Sequence, residues 1–325
     1  QPNNILALTF TESGAKAMRE RLLRYIGAAA YRVEIATFHS FSQKLIAQYP
    51  DAYPTVIGGQ PATDIDRISI LEAILEDSAV STLRPGGNPE YYVKPLMGTI
   101  SDLKRENISP DILSEMIAGQ EKTLLDIEQF HEKGAHKGKE RGEYKDAAKS
   151  IEKNQALLHV YRLYEASMRD QKLYDFDDMI LQTVKALGEN EDMLRDLQEQ
   201  YQYLLADEHQ DVNGAQNRII ELLADYHDQP NVFVVGDEKQ AIFRFQGASL
   251  QNFLYFESHF KKTTVISLTE NYRSGQEVLD AAHSLIEAED EDLAKLRVPL
   301  NAALVQGSEV TVRDFSHQAV EDSWL

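Results

Sequence analysis

The sequence contains no cysteine and a single tryptophan in 325 residues. Without cysteine there is no disulfide framework and no thiolate metal site, which fits a reducing cytoplasm. No apolar run approaches the ~20 residues of a membrane-spanning helix, and no signal-peptide pattern opens the chain. Positive charge is scarce: 33 Lys and Arg against 53 Asp and Glu leave a formal net charge of −20. Such a surface repels phosphate and excludes indiscriminate nucleic-acid binding, but net charge averages over faces and leaves room for a local basic groove. There is no Gly-x-x-x-x-Gly-Lys-Ser/Thr phosphate loop. The nearest approach, Gly134-Ala135-His136-Lys137-Gly138-Lys139-Glu140, is one spacer short and ends in Glu where a hydroxyl is needed. What is present, 42% hydrophobic and 26% charged residues, is an ordinary globular composition long enough for two domains.

The strongest local signal is Tyr203-Leu204-Leu205-Ala206 running into Asp207-Glu208-His209-Gln210-Asp211. A short apolar run bounded by turn signals reads as a buried parallel strand, and carboxylates at its C-terminal end face the crevice where open α/β sheets bind ligands. Adjacent acids alternate faces, so one can anchor Mg²⁺ while the other orients or deprotonates water. A strand ending in a solvated acidic turn is the other reading of the same residues. Further strands are expected at Asn4–Phe10, Val33–Phe38, Asn231–Asp237, Thr264–Leu268 and Glu309–Asp314, and helices at Ala15–Ile26, Gln216–Tyr226 and Gln276–Ala288. Alternation of strand and helix predicts a parallel sheet with right-handed crossovers. Between about residues 55 and 170 the pattern is helical, with breaks at Pro61, Arg84–Pro89 and Ser109-Pro110 and no convincing strand. The fold class is therefore α/β, a parallel sheet core interrupted by a mostly helical insertion. Residues 131–145, rich in Gly, Lys and Glu, read as an exposed loop.

Two further stretches follow expected strands. Gly236-Asp237-Glu238-Lys239-Gln240 lets the backbone turn beside a ligand and supplies a neutral amide. In the residues after it, Phe243 and Phe245 flank Arg244, a mixture suited to stacking on single-stranded bases, although core aromatics in an amphipathic turn look the same. Asn271-Tyr272-Arg273-Ser274 offers a cation for phosphate and a ring for a base.

Together and in this order, Thr9-Phe10-Thr11, Ala36-Thr37-Phe38-His39-Ser40-Phe41, Phe176-Asp177-Asp178-Met179, Asp207-Glu208-His209-Gln210-Asp211, Gly236-Asp237-x-x-Gln240 and Asn271-Tyr272-Arg273-Ser274 resemble the UvrD/Rep-like superfamily 1 DNA helicases over about residues 1–290. The resemblance implies a RecA-like (P-loop NTPase type) core that carries a helical subdomain. Residues 1–55 and 171–273 would form that core, 56–170 the insertion, and 274–325 the start of a second core. It implies ATP and Mg²⁺ as cofactors, with Asp207 on the metal and Glu208 activating water. Gln240 and Arg273 would reach the γ-phosphate, and Tyr272 would stack on the adenine. Phe10, Thr11, Thr37, Phe38, His39, Phe176, Asp178, Phe243 and Arg244 would line the DNA path. The implied partners are single-stranded DNA, single–double-strand junctions and repair or recombination proteins, in the cytoplasm beside the nucleoid, with 3′-to-5′ movement.

The sequence departs from the family in several ways. The phosphate loop would fall before Gln1 and most of the second core beyond Leu325. The expectation is a fragment that hydrolyses ATP negligibly by itself. His209 stands where an apolar or aromatic residue is usual, and Gln246 where Arg is usual. A non-catalytic relative, kept as a DNA-binding or scaffold subunit, is the alternative; the retained Asp207, Glu208, Gln240 and Arg273 weigh against it. Lys16, Arg19, Arg21 and Arg24 on the first helix, and Lys137, Lys139 and Arg141, are candidate DNA-facing cations or ordinary solvated ones.

Overall fold

The computed structural model describes residues 1–76, 90–131, 137–226, 229–237, 255–256, 258–260, 263–285, 299–303 and 310–324. Two compact units form, the first from described residues up to Asp237 and the second from residue 255 onward.

In the first unit, β1 (Ile5–Thr9), β2 (Glu34–Thr37), β5 (Tyr203–Ala206) and β6 (Val232–Val234) make a wholly parallel sheet in the order β2-β1-β5-β6. Leu8 sits opposite both Ala36 and Ala206, so β1 and β5 are central, and Leu6, Ala7, Leu8, Leu204 and Ala206 are buried. This burial on both faces is what continuous apolar runs such as Ile5-Leu6-Ala7-Leu8 require. The helices between strands begin at side-chain caps. Thr11 accepts from Gly14 N at 3.0 Å to start α1 (Glu12–Ile26), and Thr37 accepts from Ser40 N at 3.1 Å to start α2 (Phe38–Gln48). Gly14 is forced here: a Cβ would lie 2.9 Å from Thr9 Oγ1 and 3.1 Å from the capping oxygen of Thr11.

The insertion is helical as expected. Helices α4 (Asp64–Leu75), α5 (Glu90–Arg105), α6 (Pro110–Leu125) and α7 (Gly142–Asp170) share a core that includes Leu71, Ile100, Val160, Tyr161 and Tyr164. Ser109 caps α6 with Pro110 in its first turn, so the expected break at 109–110 is a helix start. The break at 84–89 lies outside the described residues. One strand pairing was not foreseen: β3 (Gln60–Pro61) runs parallel to β4 (Leu173–Tyr174) where the chain enters and leaves the insertion. The chain then returns to the sheet through α8 (Phe176–Glu189) and α9 (Glu191–Gln200), and after β5 continues into α10 (Gly214–Ala224).

Three expectations need correction. Residues 131–145 are not loop throughout: Phe130 and Glu140 form an antiparallel bridge, and Gly142–Lys145 already belong to α7. The expected strand at 264–268 does not form among the described residues, and Val265, Ile266 and Leu268 are exposed. The described part of the expected strand 309–314 likewise forms no strand, with Val312 exposed. β-branched residues favour a pleated, half-buried surface rather than the strand as such, and without a ladder to join they remain coil. In this second unit the paired strands are β7 (Glu270–Asn271) and β8 (Asn301–Ala302), buttressed by the helix Gln276–Leu285, whose Gln276 bonds Leu300 O and Ala302 N.

Candidate nucleotide and nucleic-acid site

Strand β5 hands its last backbone bond from Asp207 N to Leu8 O at 2.9 Å, and the chain then breaks sharply. Glu208 takes φ 51° and ψ 45°, a left-handed conformation that a non-glycine residue holds at a cost of about 1–3 kcal/mol. The kink turns Glu208 into solvent while Asp207 stays half-buried beside it. Burial, then the charge of Glu208, pushes the Asp207 carboxyl up, and the same two causes in the same order act on Asp211. Asp207, Glu208 and Asp211 thus lie close together past the end of a central strand, with no ion pair to any of them among the described residues. A hard divalent cation fits that donor set. Among the described residues no group of three or more ligands could enclose a metal by itself. A Mg²⁺ held largely by substrate phosphate and water needs only one or two protein carboxylate oxygens.

Gln210, almost wholly buried, links this turn to the next strand. Its Nε2 donates to Glu208 Oε2 at 2.7 Å and its Oε1 accepts from Asp237 N at 3.0 Å. The orientation of Glu208 is thereby tied to the start of the Gly236-Asp237 stretch. The sequence singled out Glu208 but carried no signal for this bridge, because Gln210 and Asp237 meet only through the pairing of β5 with β6.

His209, the unusual residue of this turn, is fully buried, with Nε2 3.0 Å from Asn217 Oδ1. Burial pulls its pKa down to about 4 from the ordinary 6.5. The unfolded chain takes up this proton near pH 6.5, the folded chain only near pH 4, so stability falls as pH drops through that window, by about 2 kcal/mol at pH 5. His209→Phe removes the titration. The expected result in urea unfolding is a larger loss of stability from pH 7 to pH 5 in wild type than in the variant, and equal losses would rule out His209 as the source.

The residues expected along a DNA path separate into surface and interior. Thr11 is exposed and Phe10 half-buried. Phe176 is 64% exposed and stacks on His39 with ring centroids 3.7 Å apart and planes 15° from parallel. Burial lowers the His39 pKa, and its buried Nε2 has no hydrogen-bond partner among the described residues. Thr37 is buried to 6% exposure, its hydroxyl donating to Glu12 Oε1 at 2.9 Å, and Ser40 bonds the same oxygen. Two expectations are overturned. Phe38 is 2% exposed in the core, so its ring has no face for a base. Asp178 is also buried, committed to a capping box with Asp175 and to Lys104 Nζ at 2.7 Å. Arg19 is corrected as well: its guanidinium donates to the carbonyls of Ala30, Val33 and Ile35, holding α1 against β2 rather than facing a ligand. Arg141 pairs with Glu128 at 3.0 Å, while Lys16, Arg21, Arg24, Lys137 and Lys139 are exposed. Gln240, Phe243, Arg244 and Gln246 lie outside the described residues.

In the second unit, Asn271 Oδ1 accepts from the amides of Arg273 and Ser274 at 2.9 and 2.8 Å, fixing the turn that presents Tyr272 and Arg273, both exposed. The Tyr272 hydroxyl bonds Glu270.

A parallel sheet covered by helices, with adjacent acids at the end of a central strand, defines a RecA-like core of the nucleotide-hydrolysing type. The chain belongs to the UvrD/Rep helicase family: the family model described as "UvrD/REP helicase N-terminal domain" matches residues 1–261. It is 30% identical over 286 residues to the ATP-dependent DNA helicase PcrA of Bacillus subtilis, covering 88% of this chain and 33% of that protein. Proteins of the same name from Staphylococcus epidermidis and Leuconostoc citreum are 28% and 27% identical over 89% and 90% of the chain, each covered to 34%. The chain thus spans about a third of the length of these relatives.

Proposed function

We propose that the chain is the N-terminal motor segment of an ATP-dependent DNA helicase or translocase, moving 3′ to 5′ on single-stranded DNA and opening junctions. The observation that carries this reading is the strained turn at Asp207-Glu208. A left-handed non-glycine residue at a strand end can serve to aim a side chain, and here it separates the neighbouring acids into a half-buried one and an exposed one. In the proposed mechanism Asp207 holds Mg²⁺, which when bound offsets negative charge on the ATP phosphates. Glu208, steered by Gln210, accepts a proton from the attacking water. Gln240 and Arg273 would keep the γ-phosphate role, and Tyr272 the adenine role, that the family resemblance implies.

For DNA, the exposed Phe176 stacked on His39, the exposed Thr11 and the half-buried Phe10 support a strand path over the C-terminal edge of β1 and β2. Phe243 and Arg244 would join it, and Thr37 would contribute through its capping hydroxyl. Stacking grips any base sequence, as a translocase requires. Residues 1–55 and 171–273 are proposed as the first core, 56–170 as its insertion and 274–325 as the beginning of a second. Repair or recombination proteins are the proposed partners, with the protein in the cytoplasm at the nucleoid.

The test is ATP turnover by the full-length protein with and without single-stranded DNA. DNA-stimulated turnover is the expected result. A protein that binds single strands yet turns over no ATP would instead be a scaffold subunit.

A further inference from the structure

Among the described residues of the first unit, the most enclosed charge belongs to Lys104, in the last turn of α5. Its side chain is completely buried, and Nζ lies 2.8 Å from Asp175, 2.7 Å from Asp178 and 2.9 Å from Glu165 of α7. Asp175 and Asp178 form the capping box of α8, each side chain bonding the other's amide at 2.9 and 2.8 Å. The next residue, Arg105, reaches Asp177 at 3.2 Å. Two consecutive cations of the insertion therefore grip three acids in the first turn of one helix. The residue those acids enclose is Phe176, whose ring projects to the surface against His39.

We propose that Lys104, assisted by Arg105, is a positioning residue that sets the angle of Phe176 at the strand-binding edge and thereby couples the helical insertion to that edge. The inference rests on the DNA-stacking role given to Phe176 above. Helix caps alone fix where a helix begins, not how it is rotated in its surroundings. The rotation of α8 is set by the Lys104 ammonium, which reaches two of its acids from one side, and by Arg105, which holds the third. Glu165 adds a contact from α7, so a displacement of α5 relative to α7 is carried to the first turn of α8 through a single charged group. Arg67 of α4 joins at the periphery through Tyr164, whose hydroxyl is 3.4 Å from Asp175.

The experiment compares Arg105→Gln, Lys104→Arg, Lys104→Met with Asp178→Asn, and Phe176→Ala in the full-length protein, each alone and in the Phe176→Ala background. The readouts are the single-stranded DNA concentration that half-saturates ATP turnover, turnover at saturating DNA, and turnover without DNA. Arg105→Gln and the paired Lys104→Met/Asp178→Asn variant are expected to raise the half-saturating concentration about tenfold, the loss of one weakened base stack, with both turnover rates little changed. Lys104→Arg is expected to recover most of that loss. In the Phe176→Ala background the same changes are expected to add nothing. Effects that persist undiminished without the Phe176 ring, or that lower all three readouts together, overturn the proposal and leave a purely structural cluster. If Phe176→Ala itself leaves the DNA dependence unchanged, the stacking role of Phe176 fails and the proposal fails with it. Arg105→Gln alters a partly exposed pair and keeps the test decisive should the buried variants not fold.

Discussion

Glu208→Gln in the full-length protein is expected to lower DNA-stimulated ATP turnover by about 10²–10⁴-fold, the range for loss of a general base, and to leave single-stranded DNA binding intact. The amide keeps the length and shape of the side chain, and its oxygen can still accept from Gln210 Nε2. What it cannot do is take a proton. The left-handed backbone at 208 also persists, because Gln is no better suited to it than Glu. The charge balance improves: Glu208 is a cause of the raised carboxyls at Asp207 and Asp211, so its neutralisation brings both back toward their ordinary range. Lost turnover would then not be attributable to a damaged fold, and an unfolding midpoint at or above wild type is the control. Turnover reduced less than tenfold would mean that another group activates the water.

Lys104→Ala is expected to destabilise the protein by about 3–5 kcal/mol at neutral pH, because removing one partner of a buried ion pair strands the others. Here one ammonium serves three carboxylates. Burial works against the charged lysine, but Asp175, Asp178 and Glu165 outweigh it and hold its pKa well above the usual value. One positive charge does not neutralise three negative ones. Burial would raise Asp175 too, yet the charge and hydrogen bond of Lys104 keep it below its ordinary range, and the surplus falls on Asp178, pushed up to about 7 by burial and its acidic neighbours. Without Lys104, burial acts on Asp175 unopposed by that charge and pushes Asp178 up further. A raised acid binds its proton more readily folded than unfolded, so stability recovers as pH falls through the raised pKa. The destabilisation in urea unfolding should therefore be largest near pH 8 and shrink toward pH 6. A loss that does not vary with pH would show that packing of the lysine stem, rather than its charge, is what matters.

The backbone of this architecture was legible because its signals are local. Continuous apolar runs marked β1 and β5, a short stretch around Ile35-Ala36 marked β2, and the residues following each marked a helix start or a turn. Asp207 and Glu208 were found for the same reason, since any strand ending in adjacent acids places them at the C-terminal edge of a parallel sheet. Where the reading failed, the missing information was a partner. The run at 264–268 has strand propensity, yet propensity does not supply the neighbouring ladder. The long-range pair of two-residue strands β3 and β4 has no pattern of its own, being only two extended dipeptides that meet where the insertion begins and ends.

Phe38 and Phe176 show the division most clearly. Each is the first residue of a helix and each follows a capping side chain, Thr37 or Asp175. The local grammar is the same, yet Phe38 is 2% exposed and Phe176 64%. Lys104 and Arg19 repeat the lesson for charge: neither differs in sequence from a solvated helix cation, and both are spent inside the fold, on groups that for Lys104 lie 71 and 74 residues away. The sequence by itself determined the four strands of the parallel sheet, the helical character of the insertion and the position of the paired acids, because those depend on near neighbours and on periodicity. Only the tertiary structure decided which rings and cations face solvent, how Glu208 is aimed by Gln210, and which lysine holds α8. Burial is a property of segments that meet in space, and a side chain's energy there depends on groups its own neighbourhood does not contain.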